Sequence, residues 1–120
     1  MRVVIADPAE HVRSALHLLL DQHAGATCVA KVTSGKGLVS VVASTNADVL
    51  LVDSHMPDFD LPLALATLRA VQPRLRTVVL STRPEERTCV LAAGANAFVS
   101  KGDAPQELFE TLGLGRYFPE

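Results

Sequence analysis

A chain of 120 residues with 48% hydrophobic content has room for one compact core and no room for two. Eleven basic residues against thirteen acidic ones give a net charge of -2, which excludes the strongly basic balance of a nucleic-acid-binding segment. The opening residues, Met1 to Asp7, carry one base and too short an apolar run for a secretory signal, and no later stretch is suited to span a bilayer, so a cytoplasmic location is expected.

Val3-Val4-Ile5-Ala6 is an apolar, β-branched run that reads as a strand buried on both faces, ending at Asp7. Val12, Ala15, Leu16, Leu19 and Leu20 follow as a stripe at i, i+3, i+4, i+7 and i+8, which predicts a helix with Gly25 as its stop. His11, His17 and His23 recur every six residues; this spacing does not share a helix face as i, i+4 ligands do, and no metal site is expected there. Cys28 to Val32 is a weaker strand. Cys28 and Cys89 form no CxxC and have no His at ligand spacing, so both are expected as buried free thiols.

Gly35-Lys36-Gly37 lacks the GxxxxGK(S/T) frame of a phosphate loop and reads as a loop leading into a helix over Leu38 to Ser44. Val49-Leu50-Leu51-Val52 is a third strand, ending at Asp53, and a helix over Leu61 to Val71 stops before Pro73. Val78-Val79-Leu80 is a fourth strand, ending at Ser81-Thr82. Pro84-Glu85-Glu86-Arg87 reads as a helix start, with proline at the first position and acids in the first turn, and not as an active-site cluster. That helix runs from Glu85 to Ala93 and stops at Gly94; Ala97-Phe98-Val99 forms a fifth strand ending at Ser100-Lys101, and Pro105 to Leu112 a last helix.

Regular alternation of strands and helices predicts an α/β fold with a doubly wound, five-stranded parallel sheet and helices on both faces. Sites in such sheets lie beyond the carboxyl ends of the strands. Asp7, Asp53, Ser81 and Lys101 all sit there, a set of two carboxylates, a hydroxyl and an ammonium suited to a metal ion and a phosphoryl group.

Val3 to Asp7, Ala47 to Asp53 with Met56-Pro57 following, Val78 to Ser81, and Ala92 to Lys101 resemble, in order and spacing, the receiver domains of bacterial two-component response regulators over nearly the whole chain. The resemblance implies a flavodoxin-like (βα)5 fold with the first strand near the sheet centre, residues 1–120 as one receiver domain, and about 113–120 as a tail or the start of a linker. It implies that Asp53 accepts a phosphoryl group from the phosphohistidine of a sensor histidine kinase. Mg2+ is then held by Asp7, Asp53 and the backbone carbonyl of His55. Lys101 is the implied cation for the phosphoryl oxygens, Ser81 the switch hydroxyl and Phe98 the switch aromatic.

One departure stands out. Receivers usually carry two adjacent acids after the first strand, and the second position here is Pro8, which offers neither a carboxylate nor a backbone N–H. Weaker Mg2+ binding is expected. Asp58-Phe59-Asp60-Leu61 stands where many relatives have a glycine-containing turn, and the Ser81 to Lys101 segment is slightly short, so a short fourth helix is expected. His55 and Arg83 lie two residues after Asp53 and Ser81, and are expected to replace part of the missing metal charge. Two functions follow. One is a phosphorylatable, non-enzymatic receiver that repacks its fourth helix, fifth strand and fifth helix to change a partner contact, a homodimer through that face included. The other is a degenerate pseudo-receiver acting as a phosphorylation-independent interaction or dimerisation module. An unrelated doubly wound enzyme or flavin protein is disfavoured because no catalytic triad or glycine fingerprint is present. The tail Gly115 to Glu120 resembles the linker that precedes a C-terminal DNA-binding domain in longer regulators, though the chain would equally stand alone.

Overall fold

The structure, a computed structural model, describes residues 1–103 and 105–115. Five strands alternate with five helices: β1 (Arg2–Ala6), α1 (Glu10–Asp21), β2 (Thr27–Val32), α2 (Leu38–Thr45), β3 (Val49–Asp53), α3 (Leu61–Val71), β4 (Arg76–Ser81), α4 (Arg87–Ala92), β5 (Ala97–Ser100) and α5 (Gln106–Thr111). All pairings are parallel, in the order β2-β1-β3-β4-β5, so β1, β3 and β4 lie inside the sheet and β2 and β5 form its edges. This is the doubly wound arrangement that the alternation predicts.

Strand side chains point alternately to opposite faces, and each face has its own core. Val4, Leu50, Val52, Val79 and Phe98 pack under α2, α3 and α4 through Leu38, Val42, Leu65, Leu68 and Val90. Val3, Ile5, Leu51, Val78, Leu80 and Val99 pack on the other face under α1 and α5 through Leu16, Leu20, Leu108 and Phe109. Burial on both faces explains why β1, β3 and β4 read as unbroken apolar runs. β2 is an edge strand whose Cys28, Val29 and Ala30 are only half-buried, which is why its signal is weaker.

Several boundaries move for identifiable reasons. β4 begins at Arg76, ahead of its apolar run, because Thr77 is buried yet satisfied: its N–H and hydroxyl donate to Asn96 Oδ1 at 2.8 and 3.1 Å. α1 ends at Asp21, four residues before Gly25, as the N–H groups of Gln22 and His23 close onto Leu19 and Leu20. α3 keeps its predicted limits; Asp60 caps it by accepting from Leu63 N at 3.1 Å, and Pro62 lies in its first turn. The fourth helix splits. A 3-10 turn covers Pro84–Glu86, and only Arg87–Ala92 is α-helical, so this helix is short as expected.

Both thiols are free, but Cys89 is exposed, which corrects the expected burial: on α4 it is the neighbouring Val90 that faces the core. Cys28 is half-buried, and that burial raises its thiol pKa, with Lys31 opposing. The loop over Gly35 and Lys36 leads into α2 as predicted, and Gly35 is required there. Its N–H donates to Pro57 O at 2.8 Å, and a Cβ at this position would lie 2.1 Å from Asp58 O. Among the described residues no helix is long and apolar enough to cross a membrane.

Candidate functional site

The carboxyl ends of β1, β3, β4 and β5 form one edge of the molecule. Asp7 leaves β1 with its N–H bonded to Val32 O at 3.0 Å, and its side chain is only 2% exposed. A buried carboxylate needs partners. Oδ1 accepts from Ala9 N at 2.9 Å, the first N–H available after Pro8, and Oδ2 accepts from Lys101 Nζ at 2.7 Å. Arg13, one turn into α1, donates Nη1 to the Asp7 backbone carbonyl at 2.7 Å.

Asp53 is the last residue of β3. Its Oδ2 accepts from His55 N at 3.0 Å and its Oδ1 faces Lys101 Nζ at 2.7 Å. Lys101 therefore bridges the two aspartates. Burial by itself lowers the Lys101 pKa, but hydrogen bonds and charge from Asp53 and Asp7 outweigh it and hold the ammonium above its ordinary range. Asp7, Asp53 and Lys101, three of the sequence candidates, thus form one charged cluster.

Ser81, at the end of β4, is buried. Its Oγ accepts from Arg83 N at 2.9 Å and donates in a short hydrogen bond to Glu86. Phe98 is buried on β5, with the Arg87 guanidinium 5.1 Å from its ring centroid. Arg87 also pairs with Glu107 of α5 at 3.2 Å.

Glu86 corrects the sequence reading, in which Pro84 to Arg87 was a helix start alone. Its carboxylate accepts from Ser81 Oγ, from Ser54 Oγ at 3.1 Å, and pairs with His55 Nε2 at 2.6 Å. The Ser81 hydrogen bond is the main cause holding its carboxyl below the usual carboxylate range; partial burial opposes, and His55 and Ser54 add to the lowering. The helix-start reading is right about the backbone, since Pro84 opens a 3-10 turn, but that turn folds Glu86 back over the strand ends. The expected role for His55 changes accordingly: its imidazole pairs with Glu86, whereas its main chain serves Asp53. Arg83 is exposed and meets the site through its backbone N–H to Ser81.

Among the described residues no three His, Cys, Asp or Glu side chains are arranged to hold a metal. Asp7 and Asp53 offer two carboxylates that share one ammonium, a donor set whose chemistry fits magnesium, which keeps several waters and needs one or two protein carboxylates. Pro8 leaves it without the neighbouring acid.

A five-stranded parallel sheet whose carboxyl edge carries two aspartates bridged by a lysine, with a buried serine on the next strand, has the architecture of a signalling receiver module. The response regulator receiver domain model matches residues 3–113, and the chain belongs to that family of two-component signalling domains. It is similar to the uncharacterized transcriptional regulatory protein YhcZ of Bacillus subtilis, 28% identical over 113 residues covering 92% of this chain and 53% of that protein. It is also similar to the response regulator UvrY of Escherichia coli K12, 26% identical over 114 residues covering 93% of this chain and 52% of UvrY. Among solved structures, RcsB from Salmonella enterica serovar Typhimurium, bound to a promoter in the presence of phosphomimetic BeF3-, superposes with a TM-score of 0.84 at 26% identity, covering 95% of this chain and 59% of RcsB. The chain thus spans about half the length of these relatives.

Proposed function

We propose that residues 1–120 act as one receiver domain that accepts a phosphoryl group on Asp53 from the phosphohistidine of a sensor histidine kinase. The observation that carries this reading is the Lys101 bridge, 2.7 Å from Asp7 and 2.7 Å from Asp53. In the transfer an Asp53 oxygen forms a bond to phosphorus while the histidine N–P bond breaks, leaving the electron pair on the imidazole. Asp53 is oriented for attack because Lys101 and the His55 N–H each hold one of its oxygens. The ammonium already in place then faces the incoming phosphoryl oxygens, and a charge-assisted contact there is strong. Ser81 is the hydroxyl for a phosphoryl oxygen, and Phe98 the aromatic whose packing responds.

Receiver domains bind Mg2+ at their acidic pocket; here Asp7, Asp53 and the His55 carbonyl would hold it, more weakly for want of an acid at Pro8. When bound it supplies charge neutralisation between carboxylate and phosphoryl group. Downstream, α4, β5 and α5 form the surface that changes its partner contact, a second copy of the chain included. RcsB, of which this chain matches 59%, is bound to a promoter, which supports a DNA-binding domain elsewhere in a longer regulator; of the expected tail or linker at about 113–120, Leu114 instead packs into the core and residues 116–120 lie outside the described residues. With its net charge of -2 the segment itself does not bind nucleic acid, and its location is cytoplasmic.

Pro8 is the observation favouring the second reading, a phosphorylation-independent interaction module. The two separate on incubation with acetyl phosphate, with and without Mg2+, read by intact mass beside Asp53→Asn. A metal-dependent adduct absent from the variant is expected. No adduct in the wild type, with an adduct gained by Pro8→Asp, would favour the interaction module.

A further inference from the structure

The Ser81 hydroxyl has one proton to donate, and it is committed to Glu86. One of its two lone pairs accepts from Arg83 N, which helps to orient the hydroxyl. Ser54, next to Asp53, gives its hydroxyl to the same carboxylate oxygen, and His55 Nε2 engages the other. Three donors, Ser81 at the end of β4 and Ser54 and His55 just after β3, thus converge on one internal anion beside the residues that follow Asp53.

We infer that Glu86 is an internal competitor for the Ser81 hydroxyl, a gate that keeps the site closed until a phosphoryl group displaces it. This rests on the reading of Asp53 as phosphoacceptor. Two consequences are built into the fold. A dianionic phosphoryl group and the Glu86 carboxylate cannot both take the one Ser81 proton, and their like charges repel, so loading Asp53 expels Glu86. Glu86 is also the residue immediately before α4, and the next residue, Arg87, covers Phe98 and pairs with Glu107 of α5. Its release therefore pulls on the first turn of α4 and, through Arg87, on β5 and α5. Occupancy at Asp53 is passed to the far helices by the movement of one carboxylate.

The test compares initial rates of phosphoryl transfer from acetyl phosphate, with Mg2+, to Asp53, with acetate leaving and the adduct read by intact mass. The chains are wild type, Glu86→Ala, Glu86→Gln, Glu85→Gln, Ser81→Ala and Ser81→Ala/Glu86→Ala. Losing one charge-assisted competitor corresponds to roughly tenfold in rate, so E86A is expected about tenfold faster than wild type, with E86Q between them because its amide oxygen still accepts. E85Q removes the same charge one residue earlier, from an exposed side chain, and leaves the rate unchanged. Removing the Glu86 carboxylate in the Ser81→Ala background brings no further gain, which separates competition for the hydroxyl from a general charge effect. Urea midpoints establish that each chain is folded, and E86Q decides if E86A is not. An adduct on wild type with E86A and E86Q no faster overturns the gate alone, as does a gain that persists without Ser81. No adduct on any of these chains, nor on Pro8→Asp, overturns the phosphoacceptor reading and the gate with it. An adduct on E86A or E86Q but none on wild type supports a gate that is fully shut.

Discussion

Lys101→Met removes the ammonium between two carboxylates while keeping an unbranched side chain one atom shorter. Both N···O contacts are 2.7 Å, and Lys101 and Asp53 keep modest exposures of 22% and 13% where Asp7 has 2%. Hydrogen bonds to charged groups contribute about 1.5–3 kcal/mol each, and partial solvation places these toward the lower end, so the variant is expected to lose about 3 kcal/mol. For a domain of this size that lowers Tm by roughly 10 °C and the urea midpoint by about 2 M. Much of the loss is the penalty of a buried, uncompensated Asp7, so Asp7→Asn in the same chain should recover a large part of it. Because the folded-state pKa of Lys101 is raised, its contribution is complete below the ordinary value of 10.5 and fades as pH climbs through the higher folded value. The gap between wild type and K101M is thus constant across neutral pH and closes only in strong alkali. Urea unfolding followed by far-UV circular dichroism measures all of this. A K101M chain within about 0.5 kcal/mol of wild type, or no recovery from Asp7→Asn, would refute the reasoning.

Two further predictions concern the scaffold. Gly35→Ala drives a methyl to 2.1 Å from Asp58 O, a backbone atom that yields only if the loop after β3 shifts, so a loss of about 2 kcal/mol or more is expected in thermal unfolding; an unchanged Tm would mean that this loop is free to move. Iodoacetamide at neutral pH should alkylate exposed Cys89 before Cys28, whose thiol is half-buried with a raised pKa. Peptide mapping at partial modification decides the order, and Cys28 reacting first would contradict the environment described for β2.

The fold was legible because burial on both faces of β1 and β3 leaves nothing but apolar residues in Val3 to Ala6 and Val49 to Val52, and because Pro73 marks the stop of α3; the Asp60 cap that starts this helix was not read. Where tertiary pairing does the work, composition is silent. Thr77 extends β4 only by virtue of Asn96, nineteen residues away. In the site, Asp7, Asp53 and Lys101 were readable as polar residues ending apolar runs, and the structure ties them together. Glu86 was not, since Pro-Glu-Glu is what any helix start looks like. Its function comes from a turn folding back onto Ser81, Ser54 and His55, and the only trace in sequence is an acid five residues past the strand-end serine.

Lys101 and Asp7 are 94 residues apart in the chain. During synthesis, Asp7 and Asp53 emerge long before the cation that balances them, and β5, which delivers it, is the last strand and an edge one. The nascent chain can assemble its inner strands while two carboxylates still face water uncompensated, and the long loop closure that seats Lys101 comes at the end. The part of the molecule read as doing the chemistry is therefore also a late step of its folding, and a chain cut short of residue 101 would lack both the cation of the site and the α5 cover of one sheet face.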